Sequence, residues 1–372
     1  MKQLRCVDLF SGAGGFSVGL ESAGFNSIYA VEIDASAVAT YRANHHHTLV
    51  FDANIAKLRG EELRLQLKLR AGELELLVGG PPCQGFSTVG KKDEFDSRNQ
   101  LFKHYFRIVA ALRPQFVVFE NVTGFRRMYN GSAFNAVCEK FRALGYDVDA
   151  RILNAVEYGV PQLRERTIVL GVPAGFKFTW PSAIHAKSAE PTMFLLPPVT
   201  LHEALGDLPQ VDSGSASMEY GSAPATAYQK LMRGQSSILT EHEGPNHGQS
   251  LLRVIRNVPA GGTISDIPVE FRPRSGFANT YARLWWDRPS TTITRNFGTP
   301  SSSRCIHPLL DRGLTTREGA RLQSFPDHYI FIGTRSSKNL QIGNAVPPLL
   351  AQAIGTALTD ALGLKPRVRV SV

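Results

Sequence analysis

The chain is poor in cysteine, has no long apolar segment and shows no internal repeat or low-complexity tract. Its four cysteines lie far apart without a CxxC pair, which argues against both a disulfide framework and a zinc cluster. No stretch approaches the roughly 20 apolar residues that a membrane-spanning helix needs. The first residues, MKQLRCVDLF, run into a predicted strand rather than a signal peptide. We therefore expect a folded protein of a reducing, cytoplasmic setting.

The composition favours a globular protein with an anionic partner. Of the 372 residues, 43% are hydrophobic and 20% are charged, so the chain can bury a sizeable core. Because single cores stop growing at about 250–300 residues, this length predicts one large and one smaller domain. The net charge of +9 favours nucleic acid as a partner but does not identify it.

The first part of the chain alternates short apolar runs with amphipathic stretches. This pattern is typical of βαβ units and predicts an α/β fold, a mostly parallel sheet with helices on both faces. The predicted strands cover 4–10, 27–33, 74–78, 115–120 and 167–172. The predicted helices cover 16–23, 100–112, 132–144 and 344–362.

From about residue 180 the composition changes: Pro, Ser, Gly and Thr become frequent, and the periodic spacing of apolar residues is lost. This change predicts a second, irregular lobe. Its earlier part, 181–250, has a net charge of −4, whereas 251–288 has a net charge of +3. A nucleic-acid face in this lobe is therefore expected in its later half.

The sequence DLFSGAGGF, which starts at Asp8, places a glycine-rich turn after the first predicted strand. Glycines there let the backbone approach a ligand, and Glu32 at the end of the second strand is placed to accept hydrogen bonds from a ribose. The turn lacks the third glycine of a dinucleotide site at its usual spacing. S-adenosylmethionine, which has no pyrophosphate, is therefore the better candidate, and a structural turn without a ligand is the alternative.

Candidate catalytic residues follow three later predicted strands or extended segments. Cys83, in GGPPCQGFS, would lie at the carboxyl edge of the sheet and is a candidate nucleophile. Glu120 ends an apolar strand, where desolvation raises its affinity for a proton and suits it to share one with a ring nitrogen. Arg164 and Arg166 alternate on one face of an extended segment and could hold a base carbonyl, a phosphate or Glu120. For each residue singly, packing, capping or an ordinary salt bridge is the alternative.

Seven motifs occur in one order: DLFSGAGGF, VEID, GGPPCQGFS, FENV, QLRERTIVLG, RPSTTIT and QIGNAVPP. This series, spread from residue 8 to residue 348, resembles that of the DNA cytosine-5 methyltransferases of the prokaryotic type. Only about 181–280 lies outside the match, where this family keeps its target recognition region. The resemblance implies a Rossmann-like methyltransferase fold, with a discontinuous catalytic domain at 1–179 and 338–372 and a DNA target-recognition domain at 180–337.

The resemblance also implies a mechanism. Cys83 would attack C6 of a cytosine flipped out of duplex DNA, so that C5 takes the methyl group of S-adenosyl-L-methionine. Glu120 would protonate or hydrogen-bond N3, while Arg166 holds O2 and Arg164 supports the cluster. No metal is implied.

Two further sets of contacts are expected. Matching positions imply cofactor contacts at Phe10, Gly12, Ala13, Gly14, Gly15, Glu32, Ile33, Asn54, Ile55, Pro82, Leu101, Asn344 and Val346. DNA contacts are expected at Gln84, Ser87, Lys91 and Arg98, on the loop that closes over DNA in this family, and at Arg272 and Arg274 in the second lobe. Asn54 stands where the family usually has aspartate, and Asp52 could substitute for it.

Other interpretations predict different chemistry. A tRNA-methylating relative would share the motifs, but the Cys-Phe-Thr tripeptide typical of that branch does not occur here. A catalytically silent binding relative would not need Cys83, Glu120 and Arg166 together, and an NAD-dependent oxidoreductase would leave GGPPCQGFS unexplained. The resemblance implies a monomeric, stand-alone bacterial enzyme of the cytoplasm and nucleoid, one half of a restriction-modification pair with an endonuclease for the same site.

Overall fold

The structure is a computed structural model that describes residues 3–82, 97–188, 193–273 and 279–363, with the side chains at 97–100 left aside. The chain divides into two compact units. The first comprises the described parts of Met1–Asn154, Glu165–Ser182 and Leu350–Val370, and the second those of Ala155–Arg164 and Ala183–Leu349. Residues 338–349 thus group with the second unit, and the functional division expected from the sequence stays a prediction.

A seven-stranded sheet forms the centre of the first unit. Its strands are β1 (Leu4–Leu9), β2 (Phe25–Glu32), β3 (Leu49–Asp52), β4 (Leu76–Gly79), β5 (Phe116–Val122), β6 (Tyr146–Asn154) and β7 (Glu165–Pro173). Their order across the sheet is β3-β2-β1-β4-β5-β7-β6, with β7 antiparallel to both neighbours and the other pairs parallel. The predicted α/β fold is confirmed. Its strand order reverses between β1 and β4, where open α/β sheets bind their ligands.

The helices of the first unit connect these strands. They are α1 (Gly15–Ser22), α2 (Ala35–Asn44), α3 (Gly60–Gln66), α4 (Ser97–Leu112) and α5 (Ser132–Ala143). α1 ends as the sequence predicts, because Gly24 has a φ of +95° and its N–H donates to the carbonyl of Glu21. Leu77 of β4 and Val117 of β5 are wholly buried in one core with Tyr105 of α4. The apolar runs of the sequence are thus core strands covered by helices.

Short elements make up the second unit: α6 (Leu201–Leu205), α7 (Ala227–Arg233), α8 (Gln249–Arg256), β8 (Ala282–Arg283), β9 (Arg304–Ile306), α9 (Thr316–Leu322) and α10 (Arg335–Asn344). Three of these helices begin with a capping box, in which a threonine side chain and the backbone exchange hydrogen bonds: at Thr200, Thr226 and Thr315. Such caps stabilise helices that are too short to form alone.

The helix predicted at 344–362 is wrong at its start. Asn344 is the last residue of α10, and Ala345 is extended, with a ψ of 149°. The consecutive Pro347 and Pro348 explain the break, because proline lacks an N–H and disfavours a helical conformation in the residue before it. A separate helix, α11 (Pro348–Ala361), follows.

α11 packs on α1 within the first unit. Thr359 Oγ1 donates to the carbonyl of Ala23 at 3.0 Å, and a Cβ placed on Gly355 would lie 2.7 Å from the Cβ of Ala23. The absence of a side chain at Gly355 therefore allows the two helices to approach closely. None of the helices in the described ranges combines the length and hydropathy needed to cross a bilayer.

A buried ionic group lies at the start of α9 in the second unit. Arg312 donates two hydrogen bonds of 2.8 Å to the carboxylate of Glu318, which lies 3.7 Å from His307 Nε2. These side chains are almost wholly buried. His307 Nδ1 accepts from the N–H groups of Leu309 and Leu310, both at 3.1 Å, so the neutral ring carries its proton on Nε2.

We expect His307 to make the second unit less stable in mild acid. Burial is the main cause that lowers the pKa of His307 from 6.5 to about 4, so between these values the unfolded chain binds a proton that the folded protein does not. This contribution to stability is therefore complete above pH 6.5 and decreases by about 3 kcal/mol as the pH falls to about 4. Urea unfolding across this pH range in a Trp180→Phe background, followed by the fluorescence of Trp285 and Trp286, measures it.

The control for this prediction is His307→Gln, which keeps an acceptor near the N–H groups of Leu309 and Leu310 but does not titrate. The free energy of unfolding of this variant should decline less steeply between pH 6.5 and pH 4 than that of the wild type. Equal slopes in the two proteins would contradict the role of His307.

Candidate active site

The turn after β1 lies at the carboxyl edge of the sheet, beside the end of β2. Gly12 and Gly14 have φ angles of +54° and +84°, and a Cβ at Gly12 would face open space. Phe10 has a φ of +60° although it carries a side chain. Such conformations persist only where the surroundings enforce them, and they cluster at ligand sites. The main chain of the turn at Gly12 is thus not covered by other atoms, as close contact with a ligand requires.

Glu32 connects this turn to the end of β2. Its Oε2 accepts from the N–H of Gly12 at 2.8 Å, and its Oε1 accepts from the N–H groups of Ile33 and Asp34 at 2.8 and 2.9 Å. A carboxylate has about four lone-pair directions. One is therefore left for an outside donor such as a ribose hydroxyl.

Two further polar side chains lie under the turn. Ser11 Oγ is buried and has no hydrogen-bond partner within the part of the chain that the structure describes. Asp8 is buried at the end of β1, where burial raises its pKa to about 7 and Ser17 donates to it at 2.7 Å. Asp8 thus ties α1 to β1, while Ser11 leaves a hydroxyl for a ligand. With the open backbone at Gly12 and the acceptor of Glu32, these groups fit an adenosine-bearing cofactor.

Most of the other predicted cofactor residues come to the same edge, because they follow β1 to β4 or begin α4. They are Ala13, Gly15, Ile33, Asn54, Ile55, Pro82 and Leu101. Ile33 is 64% exposed, so its apolar side chain is open to a ligand. Asn54 uses its Oδ1 to accept from the N–H of Ala56 at 2.9 Å, and Asp52 instead pairs with Arg42 at 3.4 Å. Their cofactor contacts stay predictions.

Asn344 and Val346 belong to the second unit. Asn344 ends α10, and Val346 lies between α10 and α11 and is mostly buried. Their expected contact with the cofactor also stays a prediction.

Glu120 and Arg166 form an ion pair at the ends of neighbouring strands. Because β5 and β7 are antiparallel, the start of β7 lies beside the end of β5, and Val122 pairs with Arg166. Arg166 Nε lies 2.8 Å from Glu120 Oε1, and the side chains are only 11% and 13% exposed, respectively. Of the two arginines that the sequence offers as partners of Glu120, Arg166 is thus placed to orient its carboxylate.

Glu120 also contacts the loop that follows β4. A Cβ on Gly80 would lie 2.7 Å from Glu120 Oε2, so the carboxylate lies directly over the backbone of Gly80. In the sequence, Pro81, Pro82 and Cys83 come next. Gly80, which the carboxylate of Glu120 contacts, is therefore three residues before the candidate nucleophile in the sequence.

Arg164 has partners in the second unit. Its wholly buried guanidinium donates at 2.8 to 2.9 Å to main-chain carbonyls, those of Ile293, Gly343 and Ala345. These bonds fix the end of α10. Arg164 thus holds segments far apart in sequence, and its predicted support of the Glu120 cluster stays a prediction.

Gln162 and Gln323 complete this buried group; the sequence includes Gln162 in a motif without assigning it a role and does not single out Gln323. Gln162 Nε2 donates to Gln323 Oε1 at 2.6 Å, and Gln162 Oε1 accepts from the N–H of Ile293 at 2.8 Å. Gln323 Nε2 donates to the carbonyls of Ile342 and Ala345 at 2.7 and 3.0 Å. The alternation of Gln162 with Arg164 in QLRER is the one signal that places it on the same face.

Most of the predicted DNA contacts, Gln84, Ser87, Lys91 and Arg274, lie outside the described residues, as does the candidate nucleophile Cys83. Arg98 is described only as part of α4. Arg272 is exposed, and its guanidinium donates to the carbonyls of Ile267 and Ser265 at 2.7 and 2.8 Å. Its contact with DNA stays a prediction.

Known proteins are similar in sequence to this chain over nearly its whole length. The family described as C-5 cytosine-specific DNA methylase matches residues 4–360. The Type II methyltransferase M1.HphI of Haemophilus parahaemolyticus is 37% identical over 358 residues, which span 95% of this chain and 86% of that protein. The Type II methyltransferase M.AgeI of Thalassovita gelatinovora is 33% identical over an alignment of 429 positions, which covers 96% of this chain and 100% of that protein.

Solved structures share the fold. A prophage-encoded Escherichia coli protein, provisionally assigned as a DNA modification methyltransferase, has a TM-score of 0.77 at 29% identity and covers 97% of this chain and 99% of its own. The S. pombe Dnmt2 methyltransferase has a TM-score of 0.64 at 18% identity over 98% of this chain and 100% of its own, which shows the common fold alone.

This chain therefore belongs to the C-5 cytosine-specific DNA methylase family, as the sequence motifs predict. It is an enzyme of the DNA (cytosine-5-)-methyltransferase class, and its methyl donor is S-adenosylmethionine. The acceptors and open backbone at the turn after β1 fit the adenosine part of this donor.

Proposed function

We propose that the protein transfers a methyl group from S-adenosylmethionine to C5 of a flipped-out cytosine within a specific sequence of duplex DNA. One observation carries this proposal. The buried ion pair of Glu120 and Arg166 lies over Gly80, directly before the PPC segment. A scaffold that only bound DNA or the cofactor would not need a buried, oriented carboxylate beside a cysteine loop.

In the proposed reaction Cys83 adds as a thiolate to C6 of the cytosine, and the electron pair of the C5–C6 double bond moves to C5. When bound, S-adenosylmethionine would supply an electrophilic methyl group on its sulfonium; C5 would take that methyl group, and the sulfur would keep the electron pair of the broken S–C bond as a neutral thioether. A base then removes the proton from C5, the double bond re-forms, and the thiolate of Cys83 leaves. The cysteine is thus regenerated in each turnover.

Glu120 and Arg166 stabilise the charge that this addition creates. In its protonated form, Glu120 donates a hydrogen bond or its proton to N3 as electron density moves into the ring and recovers the proton when the thiolate leaves, and Arg166 donates to O2. The 2.8 Å ion pair fixes both groups before substrate binds, so little reorganisation is needed when the cytosine enters. The cytosine must leave the base stack first, because C5 and C6 are enclosed within the duplex.

The remaining site residues follow from this reaction. The turn from Phe10 to Gly15 and the carboxylate of Glu32 hold the cofactor, with the other cofactor positions named above. The loop residues Gln84, Ser87, Lys91 and Arg98 and the basic Arg272 and Arg274 contact DNA. The protein acts as a monomer at the bacterial nucleoid and protects sites that a cognate restriction endonuclease cuts, as the Type II names of its relatives suggest.

Methyl transfer from tritiated S-adenosylmethionine tests this proposal, with unmethylated duplex DNA and tRNA offered separately. Label in duplex DNA, mapped by bisulfite sequencing to cytosines of one recurring sequence, is the expected result. Label in tRNA alone would replace DNA by tRNA as the substrate. Cofactor binding without transfer to either would indicate a silent relative, and tight binding of NAD with none of S-adenosylmethionine would indicate an oxidoreductase.

A further inference from the structure

The backbone that leads from β4 to Cys83 is held by a side chain of β5. Asn121 Nδ2 donates to the carbonyl of Pro81 at 3.1 Å, across 40 residues of sequence. Asn121 is 5% exposed, so water does not compete for this bond. Pro81 is also buried.

The orientation of the Asn121 amide is unambiguous. Its Oδ1 accepts from the N–H of Val122 at 2.9 Å, while its Nδ2 donates to Pro81. Rotating the amide by half a turn would place its oxygen against a carbonyl and its nitrogen against an N–H. Asn121 is also paired with Thr167 of β7, so its backbone lies inside the sheet. The donor that meets Pro81 is therefore fixed on a rigid strand.

The hydrogen bond from Asn121 matters for the path of the chain towards Cys83 because it binds one of two consecutive prolines, Pro81 and Pro82. Neither proline has an N–H, so this stretch cannot be anchored through main-chain donors. Only carbonyls are available, and Asn121 holds the first of them. Because each proline ring also fixes its own φ, an anchored Pro81 restricts the path of the chain to Cys83.

Consecutive residues of β5 thus meet consecutive residues of the loop. Glu120 lies over Gly80, and Asn121 bonds to Pro81. The same strand end therefore fixes the group proposed to meet N3 of cytosine and the chain that carries the thiol proposed to meet C6. Both must be in place for addition, since rates fall steeply when reacting groups are displaced by about 1 Å.

We propose that Asn121 is a positioning residue, which sets the path of the Pro81–Pro82 segment and thereby the approach of the Cys83 thiolate to the cytosine ring. This inference rests on the proposed function. It predicts that loss of the Asn121 donor slows formation of the covalent bond much more than it weakens the binding of DNA or of the cofactor, which Pro82 is expected to contact.

The test compares Asn121→Asp and Asn121→Ala with the wild type. Aspartate keeps the shape but replaces the donor by an oxygen that repels the Pro81 carbonyl, and alanine removes the bond. Both variants should lower the single-turnover rate of methyl transfer about 10- to 100-fold, with dissociation constants for S-adenosylmethionine and duplex DNA within about twofold. Covalent trapping on duplex DNA that contains 5-fluorocytosine should slow to the same extent.

Asn44→Ala is the matched control. Asn44 Nδ2 donates to the carbonyl of Thr40 at 2.7 Å at the end of α2, so this variant also removes one amide-to-carbonyl bond from the first unit. It should transfer methyl groups at the wild-type rate. A wild-type rate in Asn121→Asp, or a rise of both dissociation constants that accounts for the slower transfer, would overturn the proposal.

Hydrogen–deuterium exchange separates this proposal from the proposed function. Peptides that contain Gly79 and Gly80 should exchange faster in Asn121→Ala than in the wild type, whereas peptides of β1 and β2 should not. If the wild type itself does not methylate DNA, the proposed function fails. Faster exchange at Gly79 and Gly80 in Asn121→Ala would then still support the positioning role of Asn121. Unchanged exchange there would overturn it.

Discussion

Replacing Cys83 with serine is expected to lower the rate of methyl transfer to duplex DNA by more than about 10³-fold. A cysteine thiol has an ordinary pKa of about 8.5, so part of it is thiolate at neutral pH. A serine hydroxyl must instead lose its proton to a base before it can add to a ring carbon. Binding of S-adenosylmethionine and DNA should change by less than about twofold, since the substitution removes only a bond made during reaction. Single-turnover labelling and binding titrations measure both quantities.

Cys138→Ala is the control for this substitution. Cys138 is a buried residue of α5, and burial raises the pKa of its thiol. It therefore serves packing, and alanine there should reduce stability modestly while the transfer rate is kept. Full activity in Cys83→Ser, or an equal loss of activity in both variants, would refute the role of Cys83 as nucleophile.

The strands that the sequence predicts are those with a continuous apolar run. β4 is buried at every position and β5 at most of its positions, so both stand out in the sequence. β3 and β6 were missed for the opposite reason. β3 has four residues, none of them fully buried, and β6 is buried mainly at its ends. A strand at the edge of a sheet buries too little surface to impose a pattern on its sequence.

The sequence predicts those contacts of the candidate site in which two side chains bind each other. An acid at the end of β5 and an arginine at the start of β7 are both visible as motifs, and the sheet brings Glu120 and Arg166 together. The partners of Arg164 and Asn121 are main-chain carbonyls instead. Every residue has a carbonyl, so no residue type marks these partners in a sequence.

In α9, too, the sequence does not reveal the partners of the charged residues. Its sequence, TREGARL, has the composition of a solvent-exposed helix, yet Arg317, Glu318 and Arg321 are all buried. The carboxylates that neutralise Arg321 come from Asp207, more than a hundred residues earlier, and from Asp327, six residues later. Burial of an arginine is tolerable only with such partners, and tertiary structure alone supplies the first of them.

Replacing Arg321 with methionine should destabilise the second unit by at least about 3–5 kcal/mol. Arg321 donates to Asp327 at 2.9 and 2.6 Å and to Asp207 at 3.1 Å, with a further bond to Asp207, and all three side chains are wholly buried. Burial alone would raise the pKa of Asp327, but the bonds from Arg321 lower it. Without the guanidinium, two buried carboxylates would lose their nearest cation and keep more distant ones, Arg317 at 3.9 Å from Asp327 and Arg233 at 4.0 Å from Asp207.

Urea unfolding in a Trp180→Phe background measures this loss, because Trp285 and Trp286 then report on the second unit alone. Arg256→Met is the matched control, since Arg256 pairs with Asp311 at 3.9 Å with both side chains exposed, and its loss should cost less than about 1 kcal/mol. Adding Asp207→Asn and Asp327→Asn to Arg321→Met should restore part of the stability, because the two carboxylates that lost Arg321 are then replaced by neutral amides. A loss below about 1 kcal/mol in Arg321→Met would mean that water reaches these carboxylates.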